Sequence, residues 1–177
     1  MLEIDGKPIL RWAVDGVVGA VDDTVVVAGP DDRAVREVLA GLRVRFAENP
    51  HPDEGQGTSI ATGVAALAPG TEAALVVLGD QPWVPADVVP ALIAAFRAGG
   101  TPIVAPTYRG TQGNPVLFAR SLFDELSVLT GDAGARRIVQ GDPARVARVS
   151  FDVDMPLDVD TPEDLARLVA SRGPRVQ

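Results

Sequence analysis

The chain has 177 residues, 46% of them hydrophobic, a formal net charge of −8, 5% aromatics and no cysteine. A chain of that length folds as one domain around a real core. The acidic balance and scarce aromatics argue against a DNA- or RNA-binding surface, and the lack of cysteine removes disulfides, thiolate metal sites and a thiol nucleophile. No run is apolar over the length of a membrane span, and "MLEIDGKPIL" lacks a basic start followed by an apolar stretch. No membrane partner and a cytoplasmic location are therefore expected.

The hydrophobic spacing predicts a helix over Pro8 to Ala20, opened by Pro8, with Leu10, Val14 and Val17 on one face. Thr24 to Ala28 reads as a short buried strand, and Asp31 to Leu42 as an amphipathic helix with Val35, Val38, Leu39 and Leu42 inward. Val44 to Ala47 is a second strand, and Gly57 to Leu67 a helix burying Ile60, Val64 and Leu67. A third strand, Ala73 to Leu78, precedes a helix over Ala86 to Ala98, and Pro102 to Pro106 is a further strand. The rhythm then changes: "APTYRGTQGNPVLFA" holds two extended pieces around Gly110 and Gly113, as in antiparallel strands or a long hairpin. Short helices follow at Ser121 to Leu129 and Ala133 to Gln140, then a strand, Val146 to Phe151, and a last helix, Pro162 to Ala170. The domain is placed at 1–170, and 171–177 read as a polar, disordered tail.

Strands alternating with helices imply an α/β fold with a mostly parallel sheet covered on both faces. Continuous apolar strands such as "VVVA" and "LVVL" agree with that. Ligands in such folds gather at the carboxyl ends of strands. Asp80 lies at such an end, in "LVVLGDQPWVP". Two readings stand for it: a turn residue among turn-forming Gly and Pro, or a metal ligand.

A second acidic group lies in "DVDMPLDVDTPEDL". Thr161, Pro162 and Asp164 form a box-like cap for the last helix, which leaves Asp158 and Asp160 unexplained. They are either a solvated acidic loop or remote partners of Asp80 that hold Mg²⁺ through oxygen ligands. In "NPHPDEGQGTSIATG", Gly55, Gly57 and Ser59 precede or open a helix, where backbone N–H groups and a hydroxyl suit an anion or a ribose; a plain loop is the alternative. "GNPVLF" suggests a tight turn beside an open pocket. In "TGDAGAR", Thr130 or Asp132 caps the next helix, and Arg136 is either a phosphate contact or an exposed helical arginine. His51, the only histidine, sits in a Pro-rich loop and reads as exposed rather than as a base.

Taken in order, "LEIDGKPIL", "NPHPDEGQGTSIATG", "ALVVLGDQPWV", "GNPVLF", "TGDAGAR" and "DVDTPEDL" resemble the nucleotidyltransferases related to molybdenum cofactor guanylyl- and cytidylyltransferases, with the cytidylyltransferase branch the nearer match. The resemblance implies a three-layer Rossmann-like fold, a mostly parallel sheet with a small antiparallel insertion. It implies transfer of CMP, ahead of GMP, from CTP or GTP to the phosphate of a molybdopterin-type cofactor, releasing pyrophosphate. Other readings are another phosphorylated acceptor such as a sugar phosphate, or a non-catalytic nucleotide-binding or accessory domain. A molybdoenzyme or accessory protein is an expected partner.

By the same resemblance Asp80 and Asp158 are catalytic Mg²⁺ ligands, with Asp160 as the lesser choice for the second position. Gly55, Ser59 and Gly79 fall with Asp80 at the nucleotide, and Gly113, Asn114, Pro115 and Arg136 at the acceptor. The family opens with a strand and a loop of the type L-A-A-G-x-S-x-R-x-G followed by a lysine. That loop has no counterpart here, and Lys7 belongs to the later "GKP" turn. Either a longer parent carries it or the chain is a degenerate relative, and in both cases residues 1–177 are expected to bind CTP or GTP poorly. The neighbours of that strand must then either close up or leave an unpaired slot.

Overall fold

Alternation along Ile103–Tyr108 sets the centre of the fold. In the computed structural model, which describes residues 1–171, this strand is buried at all six positions. Ile103 and Ala105 point to one face and Val104 and Tyr108 to the other, as a period of two requires. In chain order the elements are β1 (Glu3–Ile4), β2 (Lys7–Pro8), α1 (Ile9–Asp15), β3 (Val25–Ala28), α2 (Arg33–Val38), β4 (Arg45–Glu48), α3 (Gln56–Ala65), β5 (Ala73–Val76), α4 (Val88–Ala98), β6 (Ile103–Tyr108), β7 (Thr111–Gln112), β8 (Val116–Ala119), α5 (Phe123–Ser127), α6 (Arg136–Gly141), β9 (Val146–Phe151) and α7 (Pro162–Ser171).

The main sheet runs β5-β8-β6, with β7 also on β6 and β9 on its other side. β6 and β9 are parallel, and β8 is antiparallel to both β5 and β6. β5, β6 and β9 therefore share one direction, and β8 is the reversed insertion, in keeping with the expected sheet. Helix α3 and the segment from Leu122 to Val139 cover one face, where Ile60, Phe118, Leu126 and Val139 pack against Ile103 and Ala105. On the other face Val88 and Leu92 of α4 meet Val104, Tyr108 and Leu117. These are the three layers of a Rossmann-like fold.

β3 and β4 form a separate two-stranded parallel sheet. No ladder among the described residues joins β3 to β5. Helices link the two halves instead. A Cβ on Gly63 of α3 would lie 3.2 Å from Val27 of β3, while Val64, one residue on, packs against the core cluster that Val76 of β5 also joins. Leu10 of α1 packs with Val26 and also lies 3.0 Å from where a Cβ of Gly79 would sit.

Element boundaries differ from the sequence reading most in the first third of the chain. Pro8 is in β2 rather than the first turn of a helix, and α1 stops at Asp15. β1 and β2 form a hairpin through Asp5 and Gly6, both at positive φ (54° and 72°), the backbone of a type I′ turn. α2 covers only Arg33–Val38, with Leu39 buried just beyond it. The expected cap on the last helix is present: the Asp164 amide donates to Thr161 Oγ1 (3.1 Å) and the Thr161 amide to Asp164 Oδ2 (2.9 Å). Ser171 ends α7 rather than opening a tail, and residues 172–177 of the expected tail lie outside the described residues.

Candidate functional site

β5 leads through Val77, Leu78 and Gly79 into Asp80 and Gln81. Gly79 allows a close approach of α1, since a side chain there would press on Leu10. On the far side, residues 157–160 form an irregular segment exposed at Leu157, Asp158 and Asp160 and buried at Val159. Val159 is 5% exposed and seats among Ile4, Ile9 and Leu168, while its neighbours Asp158 and Asp160 stay at the surface. The Val159 amide donates to the Asp80 carbonyl at 3.0 Å, and Gln81 Nε2 donates to Asp158 Oδ1 at 2.6 Å. These two links bring Asp80 and Asp158 together from distant parts of the chain.

The electrostatics match that placement. Burial pushes the Asp80 carboxyl above its ordinary range, the charge of Asp158 adds to the effect, and Asp160 adds less. Asp80 Oδ1 is buried with no hydrogen-bond partner. An orphaned buried carboxylate oxygen beside a second carboxylate is poor for stability and suited to a cation. No cluster of three or more His, Asp or Glu side chains arranged to hold a metal occurs among the described residues. A divalent ion bound through one or two carboxylates plus substrate phosphates needs no such cluster, so the donor set fits Mg²⁺ or Mn²⁺. Asp158 and Asp160 also line a depression of about 290 Å³ with Leu157, Asp164 and Arg167. Lys7 is held by Asp15 (2.6 Å) and lies over the Trp12 ring.

Gly55 and Ser59 belong to a second cluster. Asn49, only 2% exposed, donates through Nδ2 to Thr58 Oγ1 (2.9 Å) and Ser59 Oγ (3.0 Å), and its Oδ1 accepts from the His51 amide (3.0 Å). The loop before α3 is thus wound around one buried amide. Gly55, at φ 96°, has no room for a side chain: a Cβ would lie 2.4 Å from the Gly131 backbone. Glycines are required here because "DEGQG" and "TGDAGAR" cross in contact, with the Gly131 amide donating to Glu54 O (2.8 Å) and the Gly57 amide to Gly131 O (2.9 Å). Arg136 is exposed at the start of α6, and His51 is exposed beside Glu54.

Gly113, Asn114 and Pro115 form a third group. Tyr108 donates from its hydroxyl to the Asn114 carbonyl (2.7 Å). Burial, aided by the charge of Asp87, pushes that phenol up to about 12, so it stays a donor at neutral pH. A Cβ on Gly113 would lie 2.9 Å from the Tyr108 ring and 3.1 Å from Met155 Sδ. Met155 is three residues before Asp158, so this group adjoins the segment that carries the second acid.

The hydrogen bonds of the α3 loop run to Asn49 and Gly131, and those of the acid pair to Gln81 and Val159. Sequence reasoning missed Asn49 and Gln81 as organisers. Each is a polar residue next to a proline at the end of an extended run, in "ENP" and "DQP", and both proved to be buried.

Residues 1–149 match the family model of the MobA-like NTP transferase domain. The molybdenum cofactor guanylyltransferase of Cereibacter sphaeroides is 28% identical over 172 residues, which is 94% of this chain and 83% of that protein. The purine catabolism protein PucB of Bacillus subtilis (strain 168) is 30% identical over 118 residues, 63% of this chain and 55% of that protein. The chain therefore spans little more than half of that relative's length. Among solved structures, Rv0371c of Mycobacterium tuberculosis H37Rv in complex with manganese superposes with a TM-score of 0.82 at 29% identity, over 97% of this chain and 90% of that one.

Proposed function

The chain belongs to the MobA-like NTP transferase domain family, and from that premise we propose that it is a nucleotidyltransferase moving CMP or GMP from the nucleoside triphosphate to the phosphate of a molybdopterin-type cofactor, with release of pyrophosphate. One observation carries the proposal: the orphaned, buried Asp80 Oδ1 beside Asp158 at the exit of a sheet strand. The motif resemblance favours CMP, and the name of the Cereibacter relative favours GMP.

In this reading Asp80 and Asp158 hold a divalent cation, with Asp160 nearby. The cation, when bound, neutralises triphosphate charge and orients its oxygens. Gly79 lets α1 pack close to the turn that carries Asp80, and Gly55 and Ser59 present the loop before α3 to base and ribose. Gly113, Asn114 and Pro115 place the acceptor, and Arg136 offers a guanidinium to its phosphate. No general base is assigned, because the acceptor phosphate is already an anion and positioning supplies the rate.

The divided sheet favours a second reading, a non-catalytic nucleotide-binding or accessory domain, since β3 and β5 share no ladder. Pyrophosphate release from CTP and GTP, with molybdopterin as acceptor and Mg²⁺ or Mn²⁺ present, separates the two. The assay uses a chain that carries an upstream strand and glycine-rich loop. Asp80→Ala is expected to lower turnover by at least two orders of magnitude while the melting midpoint holds. Near-normal turnover in that variant would make Asp80 a turn residue and end the catalytic reading.

A further inference from the structure

Gln81 sits where a structural role explains it poorly. It is 4% exposed, and its Oε1 is buried without a partner. Leaving a buried amide oxygen unpaired opposes folding. Leucine or methionine would fill the same space without that loss. What the glutamine supplies is its other terminus, the Nε2–H donated to Asp158 Oδ1 across 77 positions of sequence. Beside it, Val159 N–H donates to Asp80 O. The two links form an antiparallel cross-tie, 80 with 159 and 81 with 158.

The chemical type of the donor matters. Two carboxylates near one another repel, which favours holding them apart in a fixed geometry. A lysine or arginine on Asp158 would relieve the repulsion but would compete with any cation. Arg167, which lines the depression with Asp158, is engaged with Asp164. An amide orients a carboxylate, takes up one of its oxygens and adds no charge.

We propose that Gln81 is a positioning residue of the acid pair: its neutral amide fixes Asp158 against Asp80 and thereby sets the affinity of the site for a divalent cation. The inference rests on the reading of Asp80 and Asp158 as the cation ligands. Partners that orient metal ligands typically change metal affinity by about 10–100-fold when removed.

The test is direct binding of Mn²⁺ alone to the 177-residue chain, read from the loss of the free-ion signal in electron paramagnetic resonance, with a melting curve for each variant. Gln81→Met keeps the volume and removes the donor. Gln81→Asn keeps an amide but is one methylene too short to reach, and it provides the readout should the methionine variant fail to fold. Both are expected to weaken Mn²⁺ binding by about tenfold or more, with melting midpoints close to the parent. Native Mn²⁺ affinity in either folded variant overturns the proposal. Asp80→Ala and Asp158→Ala run alongside. If they abolish binding while the Gln81 variants do not, the positioning role alone fails. If all four bind Mn²⁺ as the parent does, the carboxylate pair is not the cation site and the functional reading falls with it.

Discussion

β5 and β6 run in the same direction in one sheet, yet their surroundings are opposites. All six residues of β6 are buried, and none of the four in β5 is. Composition does not separate them: "AALV" is as apolar as "IVAPTY". Neighbours do. β6 has β8 and β7 along one side and β9 along the other, whereas among the described residues β5 pairs only with β8. The strand that feeds the acid pair is an edge, with one row of backbone groups outside any ladder. Within this fold, stability is concentrated in β6 and β8, and the candidate chemistry is hung from the less enclosed strand.

That contrast can be broken by mutation. Phe118→Ala, at a side chain with 0% exposure on β8, is expected to cost about 3–5 kcal/mol in urea unfolding. Leu75→Ala on half-buried β5 is expected to cost about 1–2 kcal/mol, from partial loss of its buried methylenes. Equal costs would mean that β5 is as much core as β8.

The smallest effect is in pH, and it sharpens the contrast between the site and the surface. Asp80 is held above the ordinary carboxylate range by burial and by Asp158. The folded state therefore binds that proton more tightly than the unfolded chain. Asp80 subtracts stability as pH climbs from the ordinary range through its folded pKa, and the deficit is constant above. Asp164 has the opposite sign: the hydroxyl and amide of Thr161, then Arg167, hold it low. Its contribution is complete above the ordinary range and fades as pH falls through its folded pKa. Asp80→Asn is expected to raise the melting midpoint at pH 7 and leave it unchanged in acid. Asp164→Asn is expected to lower it at pH 7. A fall in midpoint for Asp80→Asn would mean that its carboxylate has a stabilising partner.

Much of the strand and helix order was legible because buried strands and amphipathic helices leave periodic traces. "PIVAP" and "VARVSF" mark β6 and β9, and the Thr161–Asp164 cap is written in four residues. The β1–β2 hairpin was lost although "IDGK" carries its Asp-Gly turn, because Pro8 also suits a helix start and the strands have only two residues each. The expectation that Asp80 pairs with Asp158 came from the family resemblance rather than from local pattern, since spacing cannot tell a facing acid from a solvated one. Gln81 and Asn49 were illegible for a different reason. A polar residue in a loop reads as exposed, and only the packing of residues far along the chain makes it buried.

The crossing of Glu54 to Gly57 with Gly131 makes a single residue both donor and acceptor to a loop far from it in sequence. With a Cβ excluded at Gly55 and both bonds made to Gly131, the loop before α3 and the "TGDAGAR" turn pack as one unit, so a side chain placed at Gly55 is expected to disturb both segments at once.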